Sequence, residues 1–161
     1  MVTIRPVQDS DEDALWAILS PILAAGESYA LPHDMTREKA LAFWRGPGYA
    51  VFVAEDEGRV VGTYFLRPNG QGGACHVCNC GYATASGLEG RGIASAMCAH
   101  SLAEARERGY RAMQYNFVVS ANVRAVALWQ RHGFKVVGQL PKAFHHPKQG
   151  YVDAFVMFRD V

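Results

Sequence analysis

Seven short stretches of the chain either alternate apolar and polar residues or are largely apolar, which is typical of β-strands. The turn Asp56–Gly58 separates two of these stretches and predicts a β-hairpin, and a glycine-rich turn follows at residues 68–73. The predicted strands are residues 2–7, 49–55, 59–67, 74–84, 111–119, 135–140 and 151–159.

Four further segments repeat apolar residues at the spacing of three and four positions that indicates amphipathic helices. Asp9 or Ser10 is predicted to cap the first helix and Thr36 the second, whereas Gly109 and Gly133 are predicted to end the third and fourth. The predicted helices lie within residues 9–23, 35–44, 87–109 and 121–134.

This order of elements predicts an α+β fold, in which one mixed sheet carries helices on its faces and residues 1–161 form a single domain. The longest segments left as loops are residues 26–34 and 141–150. Half of the residues are apolar, which is ample for one hydrophobic core.

The charges are balanced, with 16 basic and 15 acidic residues and a net charge of +1. Nucleic acid and anionic membranes usually require a concentrated basic face, so neither is expected as a partner. The start of the chain has no apolar core of a signal peptide, and no stretch reaches the length of a membrane span. We therefore expect a cytoplasmic protein with reduced thiols.

Three of the four cysteines lie in "CHVCNCGY", residues 75–82. Cys75 and Cys78 have nominal metal-ligand spacing, so a zinc site completed by Cys80 and a distant histidine is one interpretation. On a strand, however, Cys78 and Cys80 face one side and Cys75 the other. We therefore predict small core residues and no metal.

A glycine-rich loop, "SGLEGRGIAS", joins the fourth predicted strand to the third predicted helix. The first-turn amides of a helix have no intrahelical partners and favour an anion, and Arg91 adds a cation. Gly90 and Gly92 would let a phosphate approach the backbone closely. A simple turn is the alternative, and the loop matches neither a Walker motif nor a dinucleotide fingerprint.

Two motifs in this order carry a family resemblance. Residues 89–94, Glu-Gly-Arg-Gly-Ile-Ala, resemble the Gln/Arg-x-x-Gly-x-Gly/Ala motif with which GNAT acetyltransferases cradle the pyrophosphate of acetyl-CoA. Residues 122–134, "NVRAVALWQRHGF", resemble the second signature of that family. The resemblance covers essentially the whole chain. It implies the GNAT fold, a mixed and mostly antiparallel sheet of six or seven strands flanked by helices, with acetyl-CoA as cosubstrate.

Within this family the chain resembles the branch of the yeast azetidine-2-carboxylate N-acetyltransferase, which detoxifies a proline analogue. That resemblance implies N-acetylation of a small amine, an amino acid or amino-acid analogue, and family members are often homodimers. Acetylation of a protein N-terminus or another amine, and a non-catalytic acyl-CoA-binding module, are the alternatives. The resemblance to this branch is carried by the stretches "GESYALP", "GTYFLRPNGQGG", "HVCNCGY", "MQYNFVVSANVRAVALW", "LPKAFHHP" and "GYVDAFVMF".

The resemblance also implies a set of residues that contact acetyl-CoA. Glu89 replaces the usual Gln or Arg of the motif, so we expect its side chain to face solvent while the loop amides bind phosphate. Asn122 has an alternative role as a helix cap, and Asn116 as a hydrogen-bonded core amide. The implied coenzyme contacts are Ala83, Thr84, Glu89, Gly90, Arg91, Gly92, Ile93, Ala94, Ser95, Asn116 and Asn122.

GNAT enzymes usually let the amine attack the thioester directly, and a backbone amide near Tyr82 to Thr84 would stabilise the oxyanion. Many members protonate the departing thiolate with a tyrosine, but Trp129 stands at that position here. The thiolate then leaves unassisted, or Tyr82, Tyr115 or a water molecule supplies the proton. We take Asn79 and Tyr82 as the catalytic candidates.

The acceptor amine is expected beside Asn79, which the resemblance assigns to substrate binding. Its alternative role is that of a buried structural amide. Glu27 and Tyr29, and His145 from the loop 141–150, are predicted to wall the same pocket. His76, His145 and His146 are candidate bases because histidine titrates near neutral pH, although each could be an ordinary histidine.

Overall fold

Seven strands form one mixed sheet in the computed structural model, which describes all residues from 1 to 161. The strands follow each other across the sheet in the order β1-β2-β3-β4-β5-β7-β6, and only β4 and β5 are parallel neighbours. This arrangement confirms the predicted mixed, mostly antiparallel sheet. The strands are β1 Thr3–Pro6, β2 Ala50–Asp56, β3 Arg59–Pro68, β4 Val77–Thr84, β5 Ala112–Val119, β6 Lys135–His146 and β7 Gly150–Asp160.

Four α-helices cover the sheet, and short 3₁₀ turns lie at Asp9–Asp11 and Gly72–Ala74. Thr36 caps the second helix, since its Oγ1 accepts the Lys39 amide at 3.3 Å. No helix is both long enough and apolar enough to cross a membrane. The helices are α1 Glu12–Ala25, α2 Arg37–Trp44, α3 Ile93–Glu107 and α4 Val123–Arg131.

The predicted cap of the first helix was wrong. Neither Asp9 nor Ser10 caps it; instead the Asp11 carboxylate accepts the Gln8 amide at 2.7 Å and pairs with Arg5 at 2.8 Å. Arg5 and the Gln8 amide together lower the pKa of Asp11. The Asp11 carboxylate thus closes the 3₁₀ turn that precedes α1, as the acidic member of a capping box with Gln8, and Arg5 of β1 brings a cation to it.

Each face of the sheet carries its own hydrophobic core. Residues of β3, β4 and β5 that point to one face pack against α3 and α4, whereas Val51, Val53, Phe65 and Ala83 of β2, β3 and β4 pack against α1 and α2. On β4, Cys78 and Cys80 belong to the α3–α4 core and Ala83 to the α1–α2 core. Asn79 and Gly81 therefore lie on the α1–α2 face, as predicted for Asn79, the residue between the two cysteines.

The predicted loop 141–150 is mostly strand. β6 continues to His146 and pairs with β7 through Phe144↔Val152 and His146↔Gly150. An irregularity between Leu140 and Phe144, where Lys142 has a φ of 51°, interrupts this ladder without ending it. Such a bulge hides a strand from sequence patterns, because it shifts the alternation of side chains.

Gly81 leaves room for the ring of Phe65, its partner on β3. A Cβ atom at position 81 would lie 2.5 Å from Phe65 Cε1. We expect Gly81→Ala to lower the free energy of unfolding by about 1 to 3 kcal/mol through this overpacking. Urea denaturation measures the loss. Gly73→Ala, where a Cβ meets nothing within 4 Å, is the control, and equal stability of the two variants would contradict the expectation.

Candidate active site

The sheet splits between its two parallel strands. The backbones of β4 and β5 pair only at Val77↔Ala112 and Cys78↔Met113, while β4 stays paired with β3 as far as Thr84. The side chain of Asn79 donates a hydrogen bond of 2.9 Å to the Gln114 carbonyl on β5, one residue beyond the last ladder pair. Asn79 thus holds the two strands together at the apex of the split.

Alternate residues of β4 present their backbone groups to the split. The Val77 carbonyl accepts the Asn69 amide at the end of β3, and the Ala85 amide donates to Val61 on β3. Because successive residues of a strand point their amides to opposite sides, the even-numbered residues face β5. Beyond the last ladder pair, the amides of Cys80, Tyr82 and Thr84 are therefore directed into the split.

The assignment of Ala83 as a coenzyme contact does not agree with this register. Its backbone groups are directed to β3, where it pairs with Thr63, and its side chain is buried in the α1–α2 core. Thr84 retains an amide on the open edge, so of the two predicted residues only Thr84 lies where a ligand of the split could reach it.

The glycine loop leads from the split to the start of α3. Gly90 and Gly92 have φ values of 77° and 80°, a left-handed conformation that glycine adopts without strain. Gly92 caps the helix, and the first intrahelical bond runs from the Ala96 amide to the Gly92 carbonyl. The amides of the predicted residues Ile93, Ala94 and Ser95 are therefore free of intrahelical partners. The side chains of Glu89 and Arg91 are exposed, as expected.

A second cation rests on this loop. A Cβ atom at Gly90 would lie 2.9 Å from the Nη2 atom of Arg124, so the guanidinium from α4 covers the glycine. Arg124 lies within the second motif, yet its sequence position alone does not show that it reaches the loop. The Ser95 hydroxyl is already occupied, 2.8 Å from His132 Nε2, so only the Ser95 amide is directed to a ligand.

Asn122 is a helix cap in this structure. Its Oδ1 accepts the Ala125 amide at 3.3 Å, at the N-terminus of α4. The alternative structural role is therefore realised, and its exposed amide group still faces solvent beside Val123 and Arg124.

An aromatic cluster lies behind the split on the α3–α4 face. The Trp129 ring packs 4.8 Å from Tyr82 and 5.0 Å from Tyr115, centroid to centroid. The Tyr82 hydroxyl lies 2.9 Å from that of Tyr115 and 2.7 Å from Ser101 Oγ, so this contact joins β4 to β5. Burial raises the pKa of both phenols well above the usual value, and both hold their protons at neutral pH.

The two segments predicted to wall the acceptor pocket, the loop with Glu27 and Tyr29 and residues 141–150, meet on the α1–α2 face. The Tyr29 hydroxyl donates a 2.5 Å hydrogen bond to the Tyr82 carbonyl, which is directed into the split, and burial raises the pKa of Tyr29. The Glu27 carboxylate forms an ion pair of 3.1 Å with Lys148 in the β6–β7 turn. The loop after α1 and the β6–β7 hairpin thus stand together beside the split.

The predicted role of His145 does not fit this arrangement. Its ring is exposed and stacks on Tyr151 at 4.5 Å, and side-chain alternation places it on the face of the hairpin opposite His146. His146 is buried, and its Nδ1 accepts the amides of Lys148 and Gln149. This histidine shapes the turn that carries Lys148. His76 is exposed and precedes β4.

Asn116 is exposed, so the alternative of a core amide was wrong. Its Oδ1 accepts from Gln114 Nε2 at 3.0 Å, and its Nδ2 donates to Asn69 Oδ1 at 2.7 Å. Because β4 lies between β3 and β5, this amide bridge passes across the face of β4 that carries Asn79. Asn69, expected only to form a turn, and Gln114 thus belong to the polar surface of the split.

The thiols do not converge on a common point. Cys78 and Cys80 are buried in the α3–α4 core, whereas Cys75 is exposed and precedes β4. No three histidine, cysteine, aspartate or glutamate side chains lie close enough together to hold a metal ion.

Known proteins with similar sequences and structures share this arrangement of elements. Residues 14–134 match the acetyltransferase (GNAT) family. The N-acetyltransferase aca1 of Schizosaccharomyces pombe is 24% identical, with 81% of this chain and 71% of that protein covered. A phosphinothricin acetyltransferase from Sinorhizobium meliloti, solved in complex with AcCoA, superposes with a TM-score of 0.86 at 22% identity, covering 99% of this chain and 88% of that one.

A GCN5-related N-acetyltransferase from Kribbella flavida is more similar. Its structure superposes with a TM-score of 0.94 at 38% identity, and the match covers 99% of this chain and 98% of that chain. The family match spans most of the chain, including the glycine loop and the start of α4. The chain therefore belongs to the GNAT family of acetyltransferases and is an acyltransferase.

Proposed function

We propose that this enzyme transfers the acetyl group of acetyl-CoA to the nitrogen of a small amine, an amino acid or an amino-acid analogue. One observation carries the proposal: the split between β4 and β5 joins a glycine loop with free helix amides to a polar surface on the opposite face. A coenzyme and an acceptor can thus meet at the open edge of β4.

The glycine loop suits the pyrophosphate of acetyl-CoA. The amides of Ile93, Ala94 and Ser95 and the two cations Arg91 and Arg124 favour an anion at the start of α3. The Sinorhizobium meliloti neighbour was solved with AcCoA, which supports the same cosubstrate here. The open amides of Tyr82 and Thr84 would hydrogen-bond the acetyl carbonyl or the adjoining pantetheine.

Direct attack by the amine fits the chemistry of the split better than an acyl-enzyme does. The thiol on β4 that is closest to the open edge, Cys80, points into the α3–α4 core, and burial raises its pKa well above the usual value. A buried, protonated thiol is a poor nucleophile. The amine nitrogen would attack the thioester carbonyl, and an edge amide of β4 would stabilise the oxyanion.

The tyrosine pair beside Trp129 provides the proposed hydrogen-bond donor for the departing thiolate. Tyr82 and Tyr115 remain protonated at neutral pH, and their hydroxyls meet where the two strands diverge. Because burial disfavours the phenolate, Tyr82 is suited to donate a hydrogen bond rather than to give up its proton. Ser101 donates its own proton to the Cys98 carbonyl, so the Tyr82 hydroxyl donates to Ser101. We therefore propose that the Tyr82 hydroxyl turns from Ser101 to the departing thiolate, which solvent then protonates.

The acceptor is proposed to lie between Asn79, Glu27 and Tyr29, on the α1–α2 face. The amides of Asn79, Gln114 and Asn116 line this surface, and such groups recognise the polar ends of an amino acid. The phosphinothricin acetyltransferase of similar fold supports an amino-acid analogue as acceptor. A role in detoxification and a homodimeric assembly stay predictions of the resemblance, and a cytoplasmic location stays a prediction of the sequence.

A thiol-release assay with acetyl-CoA tests the acceptor class. The panel contains azetidine-2-carboxylate, a proline analogue, methionine sulfoximine and phosphinothricin, with a peptide N-terminus and an aminoglycoside as the competing classes. We expect at least one of the first four to exceed both competitors in kcat/KM by about 100-fold. Inactivity of all four together with turnover of a peptide or an aminoglycoside would contradict this proposal.

A further inference from the structure

An arginine without a partner lies on the polar surface of the split. Arg67, near the end of β3, is half-buried, and its Nε atom is buried with no hydrogen-bond partner. Its guanidinium stacks over the ring of Tyr49 at 5.2 Å and lies 6.0 Å from the ring of Phe65. Aromatic contacts hold the group in place but leave its N–H donors unused.

The other arginines of the chain do not share this situation. Four of them pair with carboxylates, and Arg159 donates to main-chain carbonyls. Those that have no such partner are exposed, and water can satisfy them. They are Arg59, Arg91, Arg106, Arg111, Arg124 and Arg131. A buried donor without a partner is costly, and that cost is relieved when an acceptor arrives.

The position of Arg67 points to a ligand of the split. Arg67 pairs directly with Asn79 across the β3–β4 ladder, so the two side chains are neighbours on the α1–α2 face, with Cβ atoms about 5 Å apart. Its guanidinium lies over the ring of Tyr49 and beside the ring of Phe65, which covers Gly81, two residues beyond Asn79 on β4. The cation thus lies on the α1–α2 face beside Asn79, and no acidic side chain neutralises it.

We propose that Arg67 binds the carboxylate of the acceptor and that Asn79 completes this anion site. The inference rests on the proposed function, and it narrows the acceptor to amines that carry an anionic group next to the nitrogen. A guanidinium offers paired N–H donors that match a carboxylate, or a phosphinate of similar geometry. With its anionic end held at Arg67 and Asn79, the acceptor would present its amine to the split between β4 and β5.

The test compares acids with their neutral carboxamides. For azetidine-2-carboxylate and the other acids that the enzyme acetylates, we expect Arg67→Met to raise KM by about tenfold or more, because a charge-assisted hydrogen bond is lost. The KM of the corresponding carboxamide should stay unchanged. Arg67→Lys should recover part of the affinity for the acid, since it restores the charge without the paired donors.

Two controls separate binding from folding. Arg59→Met removes an exposed, unpaired cation from the other end of β3 and should leave both KM values unchanged. The Kd of coenzyme A, measured by calorimetry, reports whether each variant is folded and should stay within about threefold of the wild type.

The outcomes distinguish this inference from the proposed function. Wild-type enzyme that acetylates carboxamides as well as acids, or equal losses for both in Arg67→Met, would overturn the role of Arg67 and leave acetyl transfer intact. Wild-type enzyme that acetylates no amino-acid analogue would overturn the proposed acceptor class, and the Arg67 site with it. Selective loss of the acids supports both.

Discussion

Gly92→Val is expected to raise the Kd of acetyl-CoA about 100-fold. Gly92 caps α3 with a φ of 80°. In that conformation the amides of Ile93, Ala94 and Ser95 are exposed at the N-terminus of the helix. A β-branched residue is strained there by about 2 to 3 kcal/mol. In the free protein the loop can change its conformation to relieve this strain. The bound coenzyme requires the original conformation, so the strain energy is lost from the free energy of binding. Calorimetry with coenzyme A measures it.

The other end of the same helix provides a matched control. Gly109 has a φ of 83°, and a Cβ there meets nothing within 4 Å, as at Gly92. Gly109→Val should therefore introduce the same backbone strain but bind the coenzyme as the wild type does. If both variants bind coenzyme A equally well, the start of α3 is not the phosphate site.

Local patterns were sufficient to predict most of the fold. The turn Asp56–Gly58 between two apolar runs predicts the hairpin of β2 and β3. In the structure these two strands pair in antiparallel fashion and are connected by that turn. The extension of β6 was missed because Pro141 and the left-handed Lys142 break the alternation, while pairing with β7 resumes beyond them. The extent of β6 is determined by its hydrogen bonds to β7, which cannot be read from the sequence of β6 alone.

In the candidate site, too, the residues that are contiguous in sequence were predicted, and those brought together by strand pairing were not. The glycine loop is contiguous in sequence, so its residues could be named before its geometry was known. The polar surface of the split is assembled from three strands, and Arg67, Asn69 and Gln114 join it only through the register of β3, β4 and β5. Asn79 was found through the family resemblance, whereas Arg67 lies in a stretch that carries the resemblance but received no role from it, and its unused donor distinguishes it.

Asn79→Ala is expected to lower kcat/KM for the acceptor amine by a factor on the order of 100 while the Kd of coenzyme A changes by less than about threefold. The amide spans from β4 to the Gln114 carbonyl at the apex of the split, and its loss leaves that half-buried carbonyl without its donor. The same change removes the polar neighbour of Arg67. Steady-state kinetics with the best amino-acid analogue measure the effect.

Thr63→Val is the control for a general loss of stability. Thr63 is fully buried on β3 and bonds Trp44 and the Phe52 carbonyl, so this variant removes a comparable polar contact away from the split. It should unfold more easily and keep its kcat/KM. If Asn79 only holds the strands together, its loss should also weaken coenzyme binding, since the open amides of β4 would shift. Unchanged coenzyme affinity with full turnover would exclude both roles, whereas a selective loss of acceptor turnover places Asn79 at the acceptor.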